Sequence, residues 1–151
     1  MYLSGEGTPE DLKQAFYWFK KSAGQGYAEA QLILGLMYHY GVGTEKDLKQ
    51  AFYWYKKSAE QGHAEAQYDL GIMYNYGLGT EKDLKQAFYW YKKSAEQGHA
   101  EAQYDLGIMY NYGLGTEEDL KQAAFWIKKS YENGNEVAKR FWERHKLYNY
   151  Q

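Results

Sequence analysis

The chain has 151 residues and a formal net charge of −2, so neither sign of charge is in excess to recruit DNA, RNA or an anionic membrane surface. It has no cysteine, which excludes disulfides and thiolate metal sites. No apolar run approaches the roughly 20 residues that span a bilayer, so neither nucleic-acid binding nor membrane insertion is expected. The unusual feature is aromatic: 18 Tyr and 5 Trp beside a single proline.

These rings recur in register. The string from Thr44 to His63 returns unchanged as Thr80 to His99, and the block that begins at Ala64 begins again at Ala100, an offset of 36 residues. A fixed period in the range of about 20–50 residues marks a stacked-repeat architecture, in which no unit buries its apolar face alone.

In chain order, Met1–Gly5 aligns with Met37–Gly41. The chain therefore enters partway through a first repeat, and a piece of a longer protein is expected. The start, MYLSGEG, lacks the basic and apolar regions of a signal peptide. The expected divisions of the single domain are a truncated repeat at 1–26, repeats at 27–62, 63–98 and 99–134, and a capping helix at 135–151.

Each full repeat reads as two helices. Helix A covers Ala64 to Tyr76 and stops at Gly77, a residue that adopts the left-handed conformation cheaply. Asp83, with Gln86 three residues on, predicts a capping box at the start of helix B, Leu84 to Gln97, which ends at Gly98. The same punctuation stands at Gly41, Asp47 and Gly62 and at Gly113, Asp119 and Gly134. At helical period, Ala66, Leu70, Met73 and Tyr74 share one side of helix A. Leu84, Ala87, Phe88, Tyr91 and Ala95 share one side of helix B, opposite Lys85, Tyr89, Lys92 and Lys93. The two sides should pack as a hairpin, with Gly71 and Ala87 as the point of close approach. Asn135 opens the last helix, where Val137, Ala138, Phe141, Trp142, His145 and Tyr148 make one apolar face. That face predicts a terminal cap and a genuine C-terminus.

In the central copy the fixed positions are Ala66, Leu70, Gly71, Tyr74, Gly77, Gly79, Asp83, Ala87, Trp90, Tyr91, Ala95 and Gly98. This pattern resembles the Sel-one-like repeat (SLR) family, a branch of the tetratricopeptide-like helical repeats, over essentially the whole chain. Departures are few: Ser58 and Ser94 replace the first alanine of a family Ala-Ala pair, Ile127 replaces a tyrosine, and the last helix leaves the pattern. The resemblance implies an all-α, right-handed α-solenoid of antiparallel helix–loop–helix repeats, with A helices on the concave side and B helices on the convex side. It also implies a scaffold or adaptor role, frequent in bacterial envelope biology, host interaction and eukaryotic protein quality control, with members often exported or periplasmic. Cysteine-rich bacterial relatives are described as binding or hydrolysing β-lactams, and the absence of cysteine separates this chain from them.

Under that geometry the outward face of helix A is the candidate partner-binding surface. Its residues are Glu65, Tyr68, Asp69, Ile72, Asn75 and Tyr76, then Glu101, Tyr104, Asp105, Ile108, Asn111 and Tyr112, with Leu36, His39 and Tyr40 in the earlier copy. Rigid aromatics beside carboxylates and amides suit a peptide or protein segment, and the acidic groups favour one carrying Lys or Arg. The competing reading is that Tyr68 and Ile72 only pack against the neighbouring helix A. A second possibility for association is the uncapped N-terminal end, where Phe16, Phe19 and Met1–Leu3 would lie uncovered.

Other chemistry is weakly signalled. The Lys49, Lys56, Lys57 and Tyr53 pattern could interleave charge and rings for nucleic acid, but carboxylates outnumber basic side chains overall. The Gly77–Thr80 string lacks the P-loop spacing. His63 and His99 stand a full repeat apart, so a metal site of three or four converging ligands is not expected, nor is a cofactor. Ser22, Ser58, Ser94 and Ser130 are periodic, and none is paired with a base, so catalysis is not expected.

Overall fold

The structure, a computed structural model, describes residues 8–150. Met1–Leu3, Gly5 and the aligned start of the first repeat lie outside the described residues. Within them the chain forms eight α-helices and one 3-10 turn, without strands. Four are B helices: α1 (Pro9–Gly24), α3 (Leu48–Glu60), α5 (Leu84–Glu96) and α7 (Leu120–Glu132). Three are A helices: α2 (Ala28–Tyr40), α4 (Ala64–Tyr76) and α6 (Ala100–Tyr112). Helix α8 (Glu136–His145) and the 3-10 turn Leu147–Tyr150 follow. Each helix packs chiefly on its neighbours in sequence, which makes an all-α solenoid of antiparallel hairpins.

The punctuation works as its chemistry requires. Gly77 ends α4 at φ 68°, in the left-handed region. Asp83 Oδ1 accepts from the N–H groups of Lys85 and Gln86, both at 3.0 Å. The expected capping box does not close, because its return bond has no free donor. The Asp83 N–H already donates to the Tyr74 carbonyl at 2.9 Å and so ties helix B back to helix A. The reciprocal box forms instead at α1, between Thr8 and Asp11.

Ala66, Leu70 and Met73 of α4 are buried in one cluster with Ala51, Tyr55 and Ala59 of α3, and Ala87, Tyr91 and Ala95 of α5 in another with Ala102, Leu106 and Met109 of α6; half-buried Tyr74 packs against both. Gly71 does mark the close approach, but its counterpart is Tyr91 rather than Ala87. A Cβ added to Gly71 would lie 2.5 Å from Cδ1 of the Tyr91 ring. The large ring, one turn beyond Ala87, covers the bare backbone of the glycine. Gly35 faces Tyr55 in the same way, and Gly107 faces Ile127.

Between repeats, a tryptophan seats on small residues of the preceding unit. Trp90 joins the cluster of Ala59 and Ala66, and Trp126 joins that of Ala95 and Ala102. A buried polar seam runs beside these contacts. Gln67, 4% exposed, donates from Nε2 to the Ala59 carbonyl in the last turn of α3 at 3.2 Å. Its Oε1 accepts from Gln97 Nε2 at 2.8 Å. The same arrangement recurs with Gln31, Ala23 and Gln61, and with Gln103, Ala95 and Asn133. Each amide thus gives a second donor to a helix-end carbonyl that already accepts a glycine N–H, and receives a donor from its own hairpin.

At the C-terminal end, Asn135 Oδ1 caps α8. Ala138 is buried and Phe141 and Trp142 half-buried, as the apolar face predicts. Val137, His145 and Tyr148 are exposed. Lys146 adopts φ 48° and ends the helix early, so the chain enters the 3-10 turn and Leu147, 2% exposed, fills the cap in place of Tyr148. At the other end Phe16 and Phe19 are half-buried against Ala23, Ala30 and Leu34. The uncovered rings there are Tyr17 and Trp18.

Gln67→Leu is expected to lower the unfolding free energy by about 1–3 kcal/mol in urea titrations, because it removes the hydrogen bonds to the Ala59 carbonyl and from Gln97, at about 0.5–1.5 kcal/mol each. Gly71→Val is expected to cost about 1–3 kcal/mol through overpacking against Tyr91.

Candidate functional site

The outward face of the A helices is built from six positions per repeat, and packing divides them into a closed seam and an open rim. The seam lies where one helix A meets the next. Leu36, Ile72 and Ile108 are half-buried against the core clusters. Tyr68, also half-buried, donates its hydroxyl to Asp105 Oδ2 of the following helix A at 3.2 Å. Its ring lies 4.7 Å from that of His99. Tyr104 has no such acceptor, because Phe141 stands where Asp105 stands for Tyr68; their rings meet edge-on at 6.0 Å. One repeat earlier, Leu32 occupies the equivalent of Tyr68 and is 3% exposed. Asp69 therefore lacks the hydroxyl that Asp105 receives from the preceding helix A.

The rim is different in kind. Tyr40, Tyr76 and Tyr112, the last residue of each helix A, are 69%, 68% and 56% exposed. Asn75 and Asn111 stand beside them, half-buried. His39, their counterpart, stacks on Tyr40 at 4.7 Å, and its Nδ1 lies 3.4 Å from the Tyr55 hydroxyl. At the other end of the helices, Glu65 and Glu101 are exposed. Glu29 meets His63 Nε2 at 2.8 Å, which fastens α2 to the start of α4. The face that sequence periodicity treats as uniform thus contributes Tyr40, Tyr76, Tyr112, Glu65 and Glu101 to solvent, and keeps Tyr68, Ile72, Ile108 and Leu36 for the seam.

Burial governs the electrostatics of the seam. It raises the Asp69 carboxyl to about 7, with Glu65 adding to the shift. It raises Asp105 to about 6, where the Tyr68 hydrogen bond pulls the value down and Glu101 pushes it up. Burial likewise lifts the Tyr68, Tyr55 and Tyr91 phenols well above the usual range. It lowers His39, with Lys46 adding to the effect.

The periodic serines are structural. Ser58, Ser94 and Ser130 are fully buried and donate to the Ala28, Ala64 and Ala100 carbonyls at 2.8, 2.7 and 2.6 Å. Among the described residues no three His, Asp or Glu side chains converge as metal ligands, and no helix is long and apolar enough to cross a membrane. Sequence reasoning missed the Gln67 seam and the division of the tyrosines. The 36-residue recurrence of Gln31, Gln67 and Gln103 was the available signal for the former.

Stacked helical hairpins that present a regular, open helix-A rim define a tetratricopeptide-like solenoid. The Sel1 repeat model matches residues 1–27, 28–63, 64–99 and 100–135, and the chain belongs to that family. Its members are commonly protein-interaction scaffolds and generally not enzymes. Among solved structures, the chain is similar to c5321, a protective antigen present in uropathogenic Escherichia coli strains. That match has 41% identity and a TM-score of 0.78, and it covers 82% of this chain and 26% of that one. A Sel1 repeat protein from Oxalobacter formigenes matches with 39% identity and a TM-score of 0.81 over 85% of this chain and 51% of that one. The chain therefore spans about a quarter and about half of these two relatives. Helicobacter pylori cysteine rich protein B shares the fold at 23% identity and a TM-score of 0.70, over 91% of this chain and 99% of that one. No curated protein sequence matches the chain.

The raised carboxyls predict a pH dependence. Asp69 and Asp105 bind protons more tightly folded than unfolded, so their stabilising contribution is complete below about pH 4 and is lost as pH rises through about 6–7. Asp69→Asn should raise the urea midpoint at pH 8 and leave it little changed at pH 4.5. Leu32→Tyr should give Asp69 the hydroxyl that Asp105 has, lowering the Asp69 titration midpoint by NMR and stabilising the fold at pH 8 by about 1 kcal/mol.

Proposed function

We propose that the chain is a non-catalytic scaffold that takes a peptide or protein segment along its helix-A rim. The observation that carries this reading is the exposure of Tyr40, Tyr76 and Tyr112 at a constant 36-residue interval. A tyrosine at the end of a rigid helix offers large contact area for the loss of few rotamers, which is the economy of a binding hot spot. Glu65 and Glu101, exposed on the same face, favour a segment with Lys or Arg. Tyr68 and Ile72 contribute by fixing the spacing between helices rather than by touching the ligand.

Association through the N-terminal end is the second reading, favoured by Trp18 at 60% exposure, where Trp54 and Trp90 are covered.

Peptides selected from a displayed library on the immobilised protein should be enriched in Lys and Arg. In fluorescence polarisation, the Tyr40→Ala, Tyr76→Ala, Tyr112→Ala triple variant should weaken the best of them by about 30-fold, equivalent to about 2 kcal/mol. Its helicity and urea midpoint should match those of the parent. Unchanged affinity in the folded triple variant would remove the rim from the interaction.

A further inference from the structure

The net charge of −2 conceals a separation of charge between the two helix layers. Each B helix carries three lysines, as in Lys85, Lys92 and Lys93 of α5. Against them stand two carboxylates in α1 and one each in α3, α5 and α7. The three A helices contain five carboxylates, Glu29, Glu65, Asp69, Glu101 and Asp105, and no lysine or arginine. Tyr91 of α5 covers Gly71 of α4, so the exposed lysines of the B helices and the exposed Glu29, Glu65 and Glu101 of the A helices lie on opposite sides of the hairpins.

The basic surface also bears rings. Tyr17, Tyr53, Tyr89 and Phe125 are 58%, 48%, 48% and 47% exposed, one on each B helix. Lys57 lies over Tyr53 at 5.6 Å, Lys93 over Tyr89 at 5.7 Å and Lys129 over Phe125 at 5.0 Å. The outer surface is thus a row of rings flanked by ammonium groups, repeating every 36 residues. The A-helix face has a row of rings at the C-terminal ends of its helices and a row of carboxylates, Glu29, Glu65 and Glu101, at their N-terminal ends, with the same repeat.

We infer that the helix-B surface of one copy docks on the helix-A rim of a second copy. Opposite charge selects the pairing. The shared period then reproduces at each repeat whatever contact forms at one, so that interactions individually weak at exposed ion pairs accumulate along the solenoid. Because the two surfaces differ, the contact is heterologous and each added copy leaves one surface of each kind free, which gives open-ended growth. The inference rests on the rim being a binding face and names a second copy as its occupant.

Sedimentation velocity tests it with two charge-reversed variants. One carries Lys57→Glu, Lys93→Glu and Lys129→Glu; the other carries Glu65→Lys and Glu101→Lys. At low salt the parent protein should show a mass that climbs with concentration and falls to that of one chain at about 0.5 M salt, where the screening length is only a few ångströms. Each variant alone should stay monomeric, since one of its two surfaces has lost its charge: α3, α5 and α7 of the lysine variant each carry two lysines against two carboxylates. Mixed in equal amounts they should pair one to one, because each supplies the surface the other lacks.

A parent protein that stays monomeric at low salt would overturn the inference. So would growth retained by either folded variant alone, or failure of the mixture to pair. Growth abolished by Trp18→Ala but untouched by the reversals would assign association to the N-terminal end instead. Growth that appears only on adding an unrelated acidic polymer, such as polyglutamate, would likewise overturn it and mark the B surface as a general polyanion site. The lysine-reversed variant leaves the rim intact, so its affinity for the library-selected peptides reports on the rim separately. Peptide binding without self-association would sink this inference and spare the proposed function.

Discussion

The structure depends on a buried amide at every joint. Gln67 reaches from α4 to the last turn of α3 and at the same time receives Gln97 from α5. Three helices therefore meet at one side chain, with its donor and acceptor both engaged away from water. Such an amide is costly to bury unpaired and directional when paired. The tryptophan seated on alanines beside it supplies apolar area, but area alone would tolerate sliding. The amide fixes the angle and spacing at which one hairpin follows another, and the helix-A rim inherits that spacing.

The hairpins are nearly identical in sequence yet not in environment. Tyr68 pairs with Asp105, while one repeat earlier Leu32 stands in place of Tyr68 and one repeat later Phe141 stands against Tyr104. One hydroxyl–carboxylate bond consequently singles out the α4–α6 joint among the described residues. Its absence at the α2–α4 joint leaves Asp69 with the higher of the two raised carboxyl values. Repetition sets where such groups fall, and the few exceptions to repetition set what they do.

Most of the fold is legible in the sequence, because the signals that bound the helices are local. Gly77 and Asp83 act through their own backbone, so the limits of α4 and the start of α5 follow directly. What lies across an interface is less legible. Periodicity places Gly71 and Ala87 on facing sides, but the crossing of the helices decides that Tyr91 covers the glycine. The capping box fails because the Asp83 N–H is claimed by Tyr74, nine residues back. Gln67 reads as a polar residue in an apolar stripe until the end of the preceding helix is brought beside it. Tyr68 and Tyr76 are the same residue on the same helix face, and only the neighbouring helix A separates the half-buried one from the exposed one. Leu147 enters the core because Lys146 turns left-handed, a conformation that a lysine seldom signals.

The sameness of the helices has a cost during folding. α3 and α5 have one sequence, and α4 and α6 have another. A hairpin seated one place out of step in its own array, or in that of a neighbouring molecule, would bury the same side chains and form the same amide joint. The energy gap against that mistake lies in the residues that break the pattern: Leu32, Ile127, Tyr131, Phe141 and the capping turn at Leu147. Those irregular residues are the shelf marks that give an otherwise interchangeable row its order.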